Sequence, residues 1–166
     1  MGYRELFLVL TSVLVLSLMT VNVNNTLMQG RETLQEIEIA QIAVSVAQRF
    51  IEEAKSKKFD TYVGSLDPGD MPAGFTNPGS LGPGGGETYP NFDDVDDYNN
   101  FSTTLYIKGL DFAVHIHVGY VEDTDPEKVV NHETYYKRMQ VTVTSSWMNG
   151  QVILKHVFSY YGSDLK

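Results

Sequence analysis

The chain of 166 residues contains no cysteine. A disulfide-stapled fold, a thiol nucleophile and a thiolate metal site are therefore excluded. Positive charge is also scarce, because 12 Lys and Arg stand against 21 Asp and Glu, a formal net charge of −9 at pH 7. Nucleic-acid binding needs a basic surface to meet the phosphates, so nucleic acid is not an expected partner. No Ser/His/Asp triad or pair of catalytic carboxylates stands out either, and we expect a protein that is not an enzyme.

Proline is absent from the first part of the chain, and residues 1–58 are predicted to form one helix. Its segment 1–25 contains the apolar run Leu6 to Val23, which would span roughly 27 Å as a helix, about the thickness of a membrane's hydrocarbon layer. A removable signal sequence would end in a small-residue cleavage site. None follows here, so the sequence favours a continuous helix.

The second half of this helix, residues 26–58, is an amphipathic continuation with more apolar surface than one core face requires. Two apolar stripes at i+3/i+4 spacing run side by side; they consist of Ile37, Ala40, Val44, Ala47, Ile51 and Ala54, and of Ile39, Ala43, Val46 and Phe50. One apolar face normally suffices for a surface helix. The pattern predicts that one side packs in the protein's own domain and another packs against a partner.

Residues 59–102 are predicted to be a long Gly/Pro-rich acidic loop. Between residues 62 and 90 lie eight of the 14 glycines and five of the six prolines, a composition that forms neither a helix nor a central strand. No Lys or Arg occurs between Asp60 and Asn100, where eight acids stand. This segment therefore accounts for nearly all of the negative charge.

Residues 103–166 are predicted to form an antiparallel sheet of about four strands, because apolar residues alternate with polar ones from this point on. Asn149-Gly150 is a strong hairpin signal, and a two-residue turn there would place Trp147 opposite Val152. The same register would place Val141 opposite Phe158, Met139 opposite Tyr160 and His156 opposite Val143. The apolar face of the sheet needs a cover, for which the C-terminal half of the helix is the candidate. The expected fold is therefore α+β.

The carboxylate of Glu5 lies at the start of the apolar run. A carboxylate in a membrane-type segment has a high cost in free energy, so such a residue is a candidate functional residue by default. The run Glu5-Leu6-Phe7-Leu8-Val9-Leu10 resembles the processed N-terminus of type IV pilins and their pseudopilin relatives, with Glu5 at the family's fifth mature position. On this frame Met1 is the first residue of a mature chain whose leader has been removed.

The resemblance implies that Met1 carries an N-methylated amine and that Glu5 pairs with the N-terminal amine of a neighbouring subunit during assembly. It also implies a subunit that is held in the inner membrane before assembly machinery adds it to a helical filament of identical subunits on the cell surface. The sequence departs from the family pattern in Met1, Tyr3 and Arg4, in the absence of a proline near position 22, and in the missing disulfide loop.

Two other functions stay open at this point. The chain is also similar to pseudopilins of type II secretion systems, which form a short periplasmic filament. In the other alternative, Tyr3-Arg4-Glu5 is the cytoplasmic edge of an uncleaved signal anchor, in keeping with the positive-inside tendency. The part of the chain after the anchor would then be a periplasmic domain that does not polymerise.

A dense acidic stretch near the end of the loop predicts a cation site. Hard cations such as Ca²⁺ bind six to eight oxygen ligands, which closely spaced Asp and Asn side chains supply. The candidate calcium ligands are Asp93, Asp94, Asp96, Asp97 and Asn99. The alternative is a solvated acidic turn. His115 and His117 lie on one strand face without an evident third ligand, and they are interpreted as residues of an exposed face.

Overall fold

A single helix, α1, extends from Tyr3 to Ala54 in the computed structural model of the protein, which describes residues 2–61 and 74–160. The chain divides into two units, residues 1–39 and residues 40–166, and α1 contributes to both. The helix ends four residues before the predicted residue 58. The reason is that the backbone of Lys58 pairs with the later segment 93–95: its N–H donates to Asp93 O and its carbonyl accepts from Val95 N–H.

Four antiparallel strands form one meander in the order β1-β2-β3-β4, which confirms the α+β class. The strands are β1 (Ser102–Ile107), β2 (Leu110–Tyr120), β3 (Tyr136–Thr144) and β4 (Gln151–Ser159). A two-residue turn joins β1 to β2, and both of its residues have positive φ, 52° at Lys108 and 83° at Gly109. Such a turn matches the right-handed twist of the flanking strands.

The predicted register between β3 and β4 is wrong. Val143 lies opposite Val152, and Met139 lies opposite His156. The connection spans residues 145–150 instead of the two residues Asn149-Gly150, because β3 ends at Thr144 and a turn follows in which Met148 N–H donates to Ser145 O. Trp147 therefore lies in the loop, where 63% of its surface is exposed.

This shift leaves every side chain on its predicted face. Val141 pairs with Leu154 instead of Phe158, a displacement of four residues. Because successive side chains of a strand point to opposite faces, an even displacement preserves the apolar face while an odd one would have inverted it.

The core of residues 40–166 consists of one face of the last turns of α1 and one face of the sheet. The helix residues that are buried are Ala43, Val46, Ala47, Phe50, Ile51 and Ala54. The buried apolar residues of the sheet include Phe112, Val114, Ile116, Val118 and Tyr120 of β2 and Met139, Val141 and Val143 of β3. These two sets follow the 3.6-residue and two-residue periods that the sequence shows.

The described part of the predicted loop, residues 59–61 and 74–102, is anchored by aromatic side chains. Tyr89 and Phe101 pack ring to ring with a centroid distance of 4.9 Å, and each lies 6.1 Å from the ring of Phe50. The hydroxyls of Tyr89 and Tyr98 both donate to the carboxylate of Glu53 on α1, at 3.1 and 2.9 Å. These rings and hydroxyls hold Tyr89, Tyr98 and Phe101 against α1. The described part of the loop contains two short 3-10 turns, Pro78–Ser80 and Asp96–Tyr98.

Candidate functional site

The first candidate site is the N-terminal turn of α1. Glu5 lies in this turn, and its N–H donates to Gly2 O at 3.0 Å. Its side chain is exposed, and within the described part of the chain no charged side chain forms an ion pair with it. Met1, the other residue of the predicted assembly site, lies outside the described residues.

The helix that follows Glu5 is apolar and uncovered. An 18-residue window has a mean hydropathy of 2.3 and no buried residue, so by length and composition α1 contains a segment that could act as a membrane anchor or a signal. Three of its hydroxyls are satisfied within the helix: Thr11 donates to Phe7 O at 3.0 Å, Ser12 to Val9 O at 2.8 Å, and Thr20 to Leu16 O at 2.9 Å. Internal satisfaction of this kind is what a hydrocarbon environment requires of polar groups.

The second candidate site is the acidic cluster at the Asp96–Tyr98 turn. The five predicted ligands do not converge on one point. Asn99 faces elsewhere, because its amide Nδ2 donates to Leu81 O and its Oδ1 accepts from Val118 N–H, both at 3.0 Å. Asn99 therefore joins the loop to β2 instead of contributing an oxygen to the aspartates.

The inner part of the cluster is organised around a lysine. Lys137 of β3 is fully buried, and its Nζ lies 2.6 Å from Asp96 Oδ1 and 2.8 Å from Asp60 Oδ2. Oxygen atoms of Asp60, Asp94 and Asp96 lie within 4.8 Å of one another, close enough to share a metal ion. The ammonium group of Lys137 occupies the position beside Asp60 and Asp96 that a cation would take.

Asp94 acts as a structural acceptor beside this group. Its Oδ1 accepts from the N–H groups of Asp96 and Asp97 at 2.9 and 3.2 Å, and its Oδ2 accepts from Thr61 N–H at 2.8 Å. These bonds fix the turn that presents Asp96 to Lys137. Burial raises the pKa of Asp96 to about 7, an effect that the neighbouring ammonium of Lys137 only partly opposes.

The outer part of the cluster is the group that fits a hard cation best. Glu87, Asp93 and Asp97 offer oxygens within 4.8 Å of one another, and Asp93 Oδ1 is buried without a hydrogen-bond partner among the described residues. Burial raises the pKa of Asp97 to about 6, although the N–H groups of Asp93 and Asp94 donate to its carboxylate. Three carboxylates at one place, one of them with an unused buried oxygen, have the donor chemistry that Ca²⁺ prefers. The candidate calcium ligands are thus Glu87, Asp93 and Asp97. Glu87 was not among the ligands predicted from the sequence.

Sequence reasoning missed Lys137 and Asp60, although one signal was present. Lys137 precedes Met139 by two residues, so the two-residue period places it on the buried face of β3. A lysine on such a face needs a buried acid as its partner. Which acid it meets could not be read from the strand, because Asp96 and Asp60 are 41 and 77 residues distant in sequence.

The histidine pair of β2 lies on the exposed face, as predicted. His115 Nδ1 lies 2.9 Å from Ser102 Oγ on the neighbouring strand. Partial burial, with the nearby charges of Arg138 and His115, lowers the pKa of His117. No third metal-ligating side chain joins the pair among the residues that the structure describes.

No family model, curated protein or solved structure matches this chain. The class of protein is therefore defined by the fold itself. It is an α+β protein in which one long helix carries an uncovered apolar segment and, in its later turns, contributes to the core of a four-stranded antiparallel unit.

Proposed function

We propose that this protein is a structural subunit of a type IV pilus-like filament, held in the inner membrane by α1 before assembly and exposed on the cell surface afterwards. The observation that carries the proposal is the position of Glu5 in the first turn of an apolar helix with no buried residue over an 18-residue window. A helix of this kind needs lipid or other helices as its surroundings.

Energetics favour an assembly role for Glu5 over a passive one. A carboxylate among apolar helices is tolerable only when a positive group pairs with it, and the loss of one partner of such a pair is strongly destabilising. The N-terminal amine of a neighbouring subunit would be a partner of the right charge. One such pair per subunit would also fix the axial register of the filament.

The amphipathic half of α1 supports packing between subunits beyond the membrane segment. Leu34 is 67% exposed, Ile37 48% and Val44 39%, although the neighbouring Ala43, Val46 and Ala47 are buried in the core. The helix thus has an apolar surface that its own sheet does not use. Contact with the same surface of other copies would cover it.

The test is Glu5→Ala, with Glu36→Ala as a matched control on an exposed part of the same helix. Surface fractions sheared from cells that make the wild-type chain or the control are expected to contain filaments visible by electron microscopy. Glu5→Ala is expected to give none, while the subunit remains in the membrane fraction. Normal filaments from cells that make Glu5→Ala would contradict the proposal.

A pseudopilin of a type II secretion system is the second candidate, favoured by the acidic loop and the absence of cysteine. Abundant surface filaments of this chain would exclude a purely periplasmic role. The third candidate, a non-polymerising periplasmic domain on a signal anchor, is favoured by Arg4 beside the apolar run. Mass spectrometry of the N-terminus separates it from the other two, since an unmodified initiator Met1 supports the anchor and an N-methylated Met1 supports a pilin or pseudopilin.

A further inference from the structure

The two outer strands of the sheet, β1 and β4, lack the features that usually protect a sheet edge. Proteins that stay monomeric blunt such edges with charged side chains, prolines or bulges. The residues of β1 include no Lys, Arg, Asp or Glu, those of β4 include the single charge of Lys155, and neither strand contains proline. Each strand pairs with its inner neighbour in an uninterrupted register, so neither contains a bulge.

The register determines which backbone groups of β1 point outward. Ile116 N–H donates to Phe101 O at 2.9 Å, and this pair continues the β1–β2 register by one residue. Hydrogen-bonded pairs alternate with non-hydrogen-bonded pairs in an antiparallel ladder. The N–H and C=O groups that point away from β2 therefore belong to Ser102, Thr104 and Tyr106.

The same alternation applies at the opposite edge. Tyr160 N–H donates to Tyr135 O at 3.0 Å, one pair beyond the last pair of the β3–β4 register. The N–H and C=O groups of Ile153, Lys155 and Val157 therefore point away from β3. Within the described part of the chain, no hydrogen bond reaches these outward groups of β4 or those of β1. Both edges thus offer three residues at a spacing of two.

We infer that β1 of one copy of this chain pairs with β4 of the next copy, so that the sheets of successive subunits join into one. The pairing is antiparallel, because a copy added in the same sense continues the alternating strand directions of the meander. The contact joins two different surfaces, and such a contact can repeat along an open filament, whereas contact between identical surfaces closes at a dimer. The choice of a second copy as the occupant rests on the filament proposed above.

Side chains on the outer face of the sheet select one register for this pairing. With Tyr106 opposite Ile153, a ring that is 80% exposed covers an aliphatic side chain that is 41% exposed. Aromatic and β-branched side chains form favourable cross-strand pairs. A displacement by two residues would place Tyr106 opposite Gln151 or Lys155 and would lose this apolar pair.

The inner face agrees with the same register. It places Leu105 opposite Leu154 and Ile107 opposite Val152. All four side chains are only partly buried in the single chain. Pairing of the two edges would therefore remove from water apolar surface that one copy leaves partly exposed.

The experiment uses the absence of cysteine, because an introduced pair can then form only the disulfide under test. The register places Thr104 opposite Lys155, and both residues are exposed. The Cα atoms of such a hydrogen-bonded pair lie about 5.5 Å apart, within the range of a disulfide. The full-length variant Thr104→Cys/Lys155→Cys is oxidised in sheared surface fractions and in membranes, and the products are separated on a denaturing gel. A ladder of covalent dimers, trimers and longer multimers is expected.

Matched variants test the register and the edges. Ser102→Cys/Val157→Cys is a second pair in the same register; it should give the same ladder and decides the test if the first variant fails to fold. Thr104→Cys/Thr124→Cys combines the same β1 position with an exposed residue outside both edges, and its yield of multimers should be about tenfold lower or less, since distant Cα atoms cannot be bridged. Dimers from Lys155→Cys alone would show that two β4 edges pair with each other and would overturn the proposal.

Electron microscopy of the same surface fractions separates this proposal from that of the filament. Filaments without a ladder from either cysteine pair would overturn the edge contact and leave the filament intact. A ladder in the membrane fraction without filaments would support the edge contact and contradict the filament. The absence of both would contradict both proposals.

Discussion

Asp97 gives the acidic cluster a pH dependence. Because burial and the carboxylates of Asp94 and Glu87 raise its pKa to about 6, the folded state favours the protonated form. Stability from this group is fully present below the ordinary aspartate pKa and is lost as the pH rises through 6. In the presence of a calcium chelator, the titration of Asp97 is expected to lower the free energy of unfolding by about 1–2 kcal/mol between pH 4 and pH 7.

The matched variant is Asp97→Asn. An amide oxygen can still accept from Asp93 N–H and Asp94 N–H, which donate to Asp97 Oδ2 at 2.9 and 3.2 Å, but it does not titrate. Denaturant unfolding of both proteins at several pH values isolates Asp97, since the contributions of other groups cancel in the difference. Equal slopes for the two proteins between pH 4 and pH 7 would contradict the assignment.

Gly119 is a position where β2 has no room for a side chain. A Cβ atom there would lie 2.8 Å from Val129 Cγ1 and 3.3 Å from Cγ2. Gly119→Ala is therefore expected to lower the free energy of unfolding by about 1–3 kcal/mol. Val129 is 41% exposed, so truncation of its side chain alone should cost little.

The double variant Gly119→Ala/Val129→Ala tests the cause. Removal of the γ carbons clears the space that the new methyl group needs, and most of the lost stability should return. Chemical denaturation of the four proteins of this cycle measures the coupling. Additive effects would mean that Gly119 is needed for its backbone and not for the contact with Val129.

The helix α1 combines an apolar segment that is long enough to cross a membrane with a stretch of poor helix formers. Residues 17–25 contain β-branched residues and asparagines, which are poor helix formers, although the single chain is helical throughout them. A helix in lipid keeps its hydrogen bonds because nothing else satisfies the backbone. In a filament, neighbouring subunits supply alternative partners, and we expect a locally unwound or stretched segment there.

A structure of the assembled filament is the measurement. Helical hydrogen bonds are expected to be interrupted somewhere between Ser17 and Asn25, with Leu6 to Leu16 intact as the internal control. Unbroken i to i−4 hydrogen bonding from Leu6 to Lys55 would refute this prediction. It would leave the proposed role of Glu5 in assembly unaffected.

At the scale of the whole molecule, calcium is expected to stabilise the unit of residues 40–166 through Glu87, Asp93 and Asp97. A ligand that binds only the folded state raises its stability as the ligand concentration rises, by about 2.7 kcal/mol at 100 times the dissociation constant. In full-length protein in detergent, millimolar Ca²⁺ should therefore raise the melting temperature by several degrees relative to EGTA.

Asp93→Asn should remove most of this calcium-dependent increase, because it withdraws a charge and alters a carboxylate whose Oδ1 is buried and has no hydrogen-bond partner among the described residues. Asp123→Asn, an exposed acid outside the cluster, is the control and should retain the increase. A midpoint that does not respond to Ca²⁺ in the wild-type chain would identify the outer cluster as a solvated acidic turn.

Local patterns in the sequence determined the elements and their faces. The long apolar helix, the four strands and the buried side of each strand follow from periods of 3.6 and two residues, which depend only on neighbours along the chain. The buried face survived even the error in the β3–β4 register, because the true pairing differs by an even number of residues. The chemistry of Asp93 and Asp97 as part of an acidic cluster was visible for the same reason, since they are neighbours in sequence.

Only the tertiary structure decided which distant groups meet. Lys137 could be placed on a buried face from its strand, but its contacts with Asp60 and Asp96 depend on how a long loop returns across the sheet. Asn99 looked like a member of the acidic cluster, yet its amide is used between Leu81 and Val118. Strand length set the six-residue connection around Trp147 in the same way. Each of these outcomes depends on packing between segments far apart in sequence, for which a local period contains no information.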